Sequence, residues 1–349
     1  MKILFLLKRR DDYSQALHSS HLGLSTGLFN SASFMNDMLN EAGVESHLEV
    51  VVDNNCIDRE VTKYRPTHVI IEALWVVPTK FYILQKLHPN VQWIVRLHSE
   101  LPFLAGEGMA MDWLGDYLTY KNVSIGVNAP RMMQEVIDYA SIKFPKFDKS
   151  KVVYMPNFYP QNYDKKSLDK SKEYIDIGCF GAVRPLKNHM LQAIAAVKFA
   201  ESINKKLRFH INAGRIEMKG EPVLHNLRGM FIQLYHKGHE LISHTWTPRE
   251  QFLNLCSQMD IGMQCSFSET FNIVGADLVS QGVPLVTSSE IPWHTPCFSA
   301  TPQESQEIYE ALRKTYKFPR INTWLNQYNL TRYTNKTREI WLNYFKEEK

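Results

Sequence analysis

The sequence predicts an α/β protein built from two doubly wound domains, and three observations carry that expectation. The chain has 349 residues, room for two domains at about 150 residues each. Short, continuously apolar runs alternate with amphipathic stretches, the pattern of a parallel sheet whose two faces are covered by helices. The alternation breaks once, at Asp164–Tyr174 (DKKSLDKSKEY), a polar, Lys-rich stretch read as a linker, and then restarts.

In the first half, Lys2–Leu7 reads as a strand. Phe29–Ala42 has apolar residues at 34, 35, 38, 39 and 42, a helical spacing, and stops at Gly43. Leu48–Val52, His68–Ile71, Val91–Leu97, Val123–Val127 and Val152–Met155 read as further strands. Thr79–His88 and Pro130–Phe144 read as helices, the latter with Pro at its start. After the linker the strands are Tyr174–Phe180, Leu207–Ala213, Asp260–Met263 and Val283–Thr287. Helices are expected at Lys187–Ala200, Pro248–Met259, Asn272–Gln281, Glu304–Tyr316 and Thr334–Lys349. The expected domains are 1–160 and 174–330, with 331–349 as a terminal helix returning toward the first domain.

Composition excludes several classes. Hydrophobic residues make up 44% and charged residues 22%, ordinary values that argue against disorder, collagen or a coiled coil. The five cysteines are scattered without a CxxC, so reduced thiols in a cytoplasmic protein are expected, not a disulfide frame or zinc site. The opening MKILFLLKRR has too short an apolar run for a signal peptide. No stretch approaches the roughly 20 apolar residues of a membrane span, and no amphipathic membrane-binding patch stands out. The net charge of +4 is uneven. Residues 1–150 carry 15 Lys and Arg against 17 Asp and Glu, and residues 151–349 carry 25 against 19, so an acidic ligand is better matched by the second half.

The richest segment is Cys265–Pro284, CSFSETFNIVGADLVSQGVP. A strand ends, a polar turn follows and a helix begins, and a helix N-terminus can hold an anion or sugar hydroxyls. Glu269 and Asp277 are eight residues apart, about 12 Å at helical rise, which suits one acid at a sugar and one at a ribose. The competing view is that Glu269 only caps the helix and Asp277 lies on a solvated face.

This segment resembles the donor motif of GT-B glycosyltransferases of the retaining, family 4-like group, Ser-x-x-Glu-x-Phe-Gly with a second Glu eight residues after the first. Ser266, Glu269, Phe271, Gly282 and Pro284 fit the pattern. Asn272 stands where the family has Gly, and Asp277 where it has Glu. FGAVRPLKN, Phe180–Asn188, is similar to the family's Gly-Arg-x-x-x-x-Lys turn, which implies Gly181 against the donor and Arg184 and Lys187 on its diphosphate. MPNFYP, Met155–Pro160, partly matches a hinge segment, with Asn157 as a turn-former. Further donor contacts implied are Arg215, Glu217, Thr270, Phe271, Asn272 and Ile273. His98, after the strand Val91–Leu97, falls where retaining members carry a His beside the transferred sugar.

The resemblance implies a GT-B fold, two Rossmann-like domains facing across a cleft, and transfer from a nucleotide-diphosphate sugar, a UDP-sugar, with retention of configuration. Catalysis would rest on His98, Arg184, Lys187 and Glu269. No Asp-x-Asp occurs, so protein cations would do the work of a metal, and no cofactor is expected. G-x-G-x-x-G, the Walker pattern and G-x-S-x-G are also missing, and Ser25-Thr26-Gly27 replaces none of them. The acceptor would meet segments 8–26 and 100–113. One acceptor reading, from a likeness to bacteriophage glycosyltransferases, is a 5-hydroxymethylated pyrimidine in DNA, with Lys8, Arg9, Arg10 and Arg131 on phosphates. The alternatives are a saccharide or small-molecule acceptor and, from another class, a nucleotide-sugar epimerase or a non-catalytic sugar-nucleotide module. The sugar, the nucleotide base and the oligomeric state are left open by the sequence.

Overall fold

A computed structural model describes residues 1–8 and 27–347; Arg9, Arg10, Ser25 and Thr26 lie outside the described residues. The described residues form two units, one from 1–8, 27–160 and 334–347, the other from 161–333.

The first unit runs β1 (Lys2–Lys8), α1 (Gly27–Glu41), β2 (Glu45–Val51), α2 (Ile57–Tyr64), β3 (His68–Glu72), α3 (Lys80–Leu87), β4 (Gln92–Arg96), α4 (Leu101–Leu104), α5 (Ala110–Tyr117), β5 (Val123–Val127), α6 (Pro130–Lys143) and β6 (Val152–Tyr154). Its six strands lie in the order β2-β1-β3-β4-β5-β6, all parallel. Successive side chains of a strand point to opposite faces, and the core divides accordingly. Leu4, Leu6, Val69, Ile71, Trp93 and Val95 pack on one face with α2, α3, α5 and α6. Ile3, Phe5, Ile70 and Ile94 pack on the other with Met35, Met38 and Leu39 of α1.

The second unit runs β7 (Tyr174–Val183), α7 (His189–Ser202), β8 (Lys206–Ile216), α8 (Glu221–Leu234), β9 (Glu240–Ser243), α9 (Arg249–Gln258), β10 (Ile261–Gln264), α10 (Ile273–Ser280), β11 (Leu285–Thr287), α11 (Ser305–Lys317) and the start of α12 (Pro319–Glu347). Its five strands are also parallel, in the order β11-β10-β7-β8-β9. The end of α12 belongs to the first unit, where Trp341 and Phe345 join the α1 side of the core. The expected return of the terminal helix is therefore present.

That helix begins at Pro319, fifteen residues before the expected Thr334. The reason lies in which side chains it buries. Asn322 and Asn326 are buried, while Ile321, Trp324 and Tyr328 are exposed. Asn322 accepts from the Leu285 N–H (2.8 Å) and donates to the Leu285 carbonyl (3.0 Å), so it satisfies the edge strand β11 as a neighbouring strand would. An apolar-inward pattern does not describe such a helix.

At the amino end of the second sheet, Asp176 accepts from Arg208 Nε (2.6 Å) and Nη2 (2.7 Å) and pairs with His210 Nε2 (3.0 Å). Burial alone would raise its carboxyl, but the bonds from His210 and Arg208 outweigh that and push the pKa from 3.8 down to about 2. A carboxyl depressed in the folded state adds stability that is fully present above its unfolded value and is lost as pH falls through the folded one. Urea midpoints should therefore drop as pH falls from 3.8 to about 2. The drop over that window should be shallower in Asp176→Asn, and equal slopes in the two proteins would count against the assignment.

Candidate functional site

The loops that follow the strands of a parallel sheet gather at the carboxyl edge, where ligands of doubly wound proteins bind. In the second unit, the loops after β7, β8 and β10 bring charged side chains to that edge. Lys187, buried in the loop between β7 and α7, donates to the Glu269 carboxylate, which is also buried. Arg184 lies 3.3 Å from Glu217 Oε2, and Arg215 lies 2.5 Å from Glu217 Oε1, so Glu217 bridges two of the cations that the sequence placed here. Asp277 is buried and pairs with Arg249 Nη2 at 2.8 Å. The solvated-face view of Asp277 does not hold.

Local backbone explains several identities. Gly181 has φ +112° and its N–H donates to Asn212 Oδ1 (2.9 Å) at the irregular carboxyl end of β7. An added Cβ there would face the Lys187 side chain at 3.6 Å. Gly282 has φ +72°, and a Cβ would meet the Asp164 carbonyl oxygen at 2.7 Å, so the Gly-x-Pro turn admits no side chain. Asn272 has φ +63°, a left-handed conformation that Gly and Asn adopt most easily. Its Oδ1 caps α10 by accepting from Gly275 N–H (2.7 Å), and its Nδ2 donates to Gln264 Oε1 (2.9 Å). Asn272 thus takes an angle that Gly would also take and adds a cap. Thr270 and Phe271 are buried beside it, with the Phe271 carbonyl accepting from Trp293 Nε1 (2.7 Å), and Ile273 opens the helix.

Sequence reasoning missed two residues here. Arg249 sits in the first turn of α9, where a cation opposes the helix dipole, and that misfit was the available signal. His189 opens α7 and is buried, and neither ring nitrogen has a hydrogen-bond partner among the described residues. Burial first, then the nearby Lys187 and Arg184, push its pKa down to about 3, so the ring is neutral.

In the first unit, His98 follows β4, and its Nε2 bonds the Glu72 carboxylate at the end of β3. Glu72 is fully buried. Burial would raise its carboxyl, but the Arg96 guanidinium and His98 outweigh it, and the pKa lies below the ordinary range. Arg96 spends every donor: Nη1 on Glu72 (3.1 and 3.3 Å), Nε on the Met155 carbonyl (3.2 Å), and Nη2 on the Pro156 carbonyl (3.2 Å) and Asn157 Oδ1. Asn157 is therefore more than a turn-former. Glu72 and Arg96 were not singled out from sequence, because a charge inside an apolar strand has no local signature. Arg131 forks onto the buried Glu100, with Nε at 2.8 Å from Oε1. Lys8 closes β1 as an exposed residue; Arg9 and Arg10 lie outside the described residues.

No protein-family model matches the chain, and no curated protein matches it in sequence. Solved structures do match over nearly the whole length. The Anabaena protein HepE in complex with UDP aligns with a TM-score of 0.64 at 12% identity, over 98% of this chain and 97% of that one. Sucrose-phosphate synthase from Thermosynechococcus elongatus aligns at 0.68 and 13%, over 99% of both chains. A UDP-forming α,α-trehalose-phosphate synthase from Burkholderia xenovorans aligns at 0.66 and 12%, over 99% and 98%. At these identities the likeness establishes architecture: the two parallel-sheet units are those of the GT-B fold.

If Asn272 is held by its backbone angle as well as its cap, two substitutions should separate. Asn272→Gly keeps the left-handed backbone, whereas Asn272→Ala must also strain it, by about 1–2 kcal/mol. Urea unfolding should rank Ala below Gly by that margin, and the reverse order would show that the φ angle is not the constraint.

Proposed function

We propose that the chain transfers a sugar from a nucleoside-diphosphate sugar to an acceptor hydroxyl, with retention of configuration and without a metal ion. The observation that carries this is the set of buried or half-buried cations, Arg184, Lys187, Arg215 and Arg249, each paired with an acid at the carboxyl edge of the second sheet. A departing nucleoside diphosphate develops charge, and fixed cations in a low-dielectric pocket stabilise it. The solved structures similar to this chain support the donor class: HepE is described with UDP, with UDP and glucose, and with UDP-glucose.

In this reading the diphosphate engages Arg184 and Lys187. Lys187 then shares its charge between phosphate and Glu269, and the Glu269 carboxylate becomes an acceptor for hydroxyls of the transferred sugar. Asp277, beside Arg249, serves the ribose. The bond from the anomeric carbon to the diphosphate oxygen breaks, the acceptor oxygen bonds that carbon on the same face, and the acceptor proton passes to the departing phosphate oxygen. In the first unit, His98 is the candidate catalytic histidine, its ring oriented by Glu72. The reading of a 5-hydroxymethylated pyrimidine in DNA as acceptor rests on Lys8, on the undescribed Arg9 and Arg10, and on Arg131, whose guanidinium is already engaged with Glu100. It stands beside a saccharide acceptor as an arm of the test.

The test is sugar transfer or donor hydrolysis with a panel of nucleotide sugars, and duplexes with and without 5-hydroxymethylcytosine beside free saccharides as acceptors, read by mass spectrometry. Arg184→Ala and Lys187→Ala should each lower turnover on the order of a hundredfold while the proteins stay folded. Near-normal turnover in both would remove the cation clamp. Turnover should survive excess EDTA, and loss of activity restored by Mg²⁺ or Mn²⁺ would overturn the metal-independent mechanism.

A further inference from the structure

The first half of α12 is inside out. Its polar residues Asn322 and Asn326 are buried, whereas Ile321, Trp324 and Tyr328 are 52%, 63% and 54% exposed. The three fall within one side of the helix at 3.6 residues per turn, and Phe318, just before it, is 40% exposed. Trp324 and Tyr328 stack on each other, with ring centroids 6.0 Å apart. Apolar side chains this large rarely stand together in water without a partner.

Along the sequence, the charge about them is of one sign. Between Glu310 and Glu339 the sequence has seven Lys or Arg and no Asp or Glu. Arg313, Lys314, Lys317, Arg320 and Arg332 are exposed, and Lys317 lies over the Phe318 ring, 5.2 Å from its centroid. Asp164 touches this helix through its backbone carbonyl, which accepts from Gln327 at 3.3 Å.

We propose that this face docks the chain on an anionic phospholipid surface. A helix lying in the bilayer interface needs bulky apolar side chains to enter the headgroup boundary, aromatic rings to sit at that boundary, and cations to meet lipid phosphates. Ile321, Phe318, Trp324 and Tyr328 supply the first two, and the flanking Lys and Arg supply the third. Nucleic acid fits less well, because aromatic rings that stack bases present free faces, and here Trp324 and Tyr328 cover each other. The contact is peripheral: no helix among the described residues is long and apolar enough to cross a membrane. The proposal is independent of the glycosyl-transfer reading, since no residue of the donor site takes part.

The test is flotation of the full chain with vesicles of phosphatidylcholine, with and without phosphatidylglycerol. Binding should require phosphatidylglycerol and weaken as salt is raised. Combined Ile321→Ser, Trp324→Ala and Tyr328→Ser should weaken it by about tenfold or more, with the circular dichroism spectrum unchanged. Bromine-labelled lipid should quench part of the tryptophan fluorescence of the native chain. That part should vanish in Trp324→Phe, which still binds. The proposal is overturned by no binding to phosphatidylglycerol vesicles at low salt, or by equal binding of the triple variant. It is also overturned if the variant loses affinity for duplex or single-stranded DNA, or loses self-association, without any vesicle binding by the native chain.

Discussion

Every strand in both units runs parallel, and much of the chemistry follows from that constraint. A parallel sheet with both faces covered can present side chains to a ligand only at its strand ends. Both units therefore crowd charge at their carboxyl edges, Glu72, Arg96 and His98 in one, Arg184, Lys187, Glu217 and Glu269 in the other. Such charges are partly out of water, so each needs a partner. A buried pair adds little net stability, yet breaking one costs about 3–5 kcal/mol. The pairs therefore act less as glue than as fixtures. Arg96, with all of its donors engaged, ties the ends of β3 and β4 to the Met155–Asn157 segment, and the same Glu72 carboxylate bonds His98.

The same constraint creates the edge-strand problem that α12 solves. β11 is a three-residue edge strand, and its outer N–H and C=O groups would face a helix that normally offers only apolar side chains. Two asparagines in consecutive turns supply both a donor and an acceptor there, and the cost is that the buried stripe of the helix is polar. Of the larger apolar side chains in this stretch, Leu330 is buried, whereas Ile321, Trp324 and Tyr328 face outward. The outward row of Ile321, Trp324 and Tyr328 accompanies this covering of β11, and the Lys- and Arg-rich sequence around it gives that row a definite chemical preference.

How much of this was legible in the sequence depends on the range of the interaction that fixes each part. Strands such as Val123–Val127 and the helix opening at Pro130 are set by local runs and a single start signal, and their bounds agree with the structure to a residue or so. The Cys265–Pro284 segment was legible because turn, cap and helix follow one another along the chain. α8 and β9 were missed, as was the start of α12, whose buried face is decided by a strand thirty-seven residues away. The Glu72–Arg96 pair was invisible for the same reason. Each residue alone interrupts an apolar strand, and only β3 lying beside β4 makes them partners.

The two departures from the family motif have different physical weight. Asn272 leaves the backbone path intact, since it takes the left-handed angle and repays the lost glycine with a cap on α10. Asp277 is one methylene shorter than Glu, and its carboxylate is held by Arg249 from α9. A charge fixed to the neighbouring helix cannot extend toward a ligand without breaking that ion pair. In the proposed reading the ribose must therefore come to Asp277, and Arg249 then lies close enough to the nucleotide to share its phosphate charge. The shorter acid and the arginine in the first turn of α9 act on this view as one unit, because the Arg249 guanidinium fixes where the Asp277 carboxylate stands.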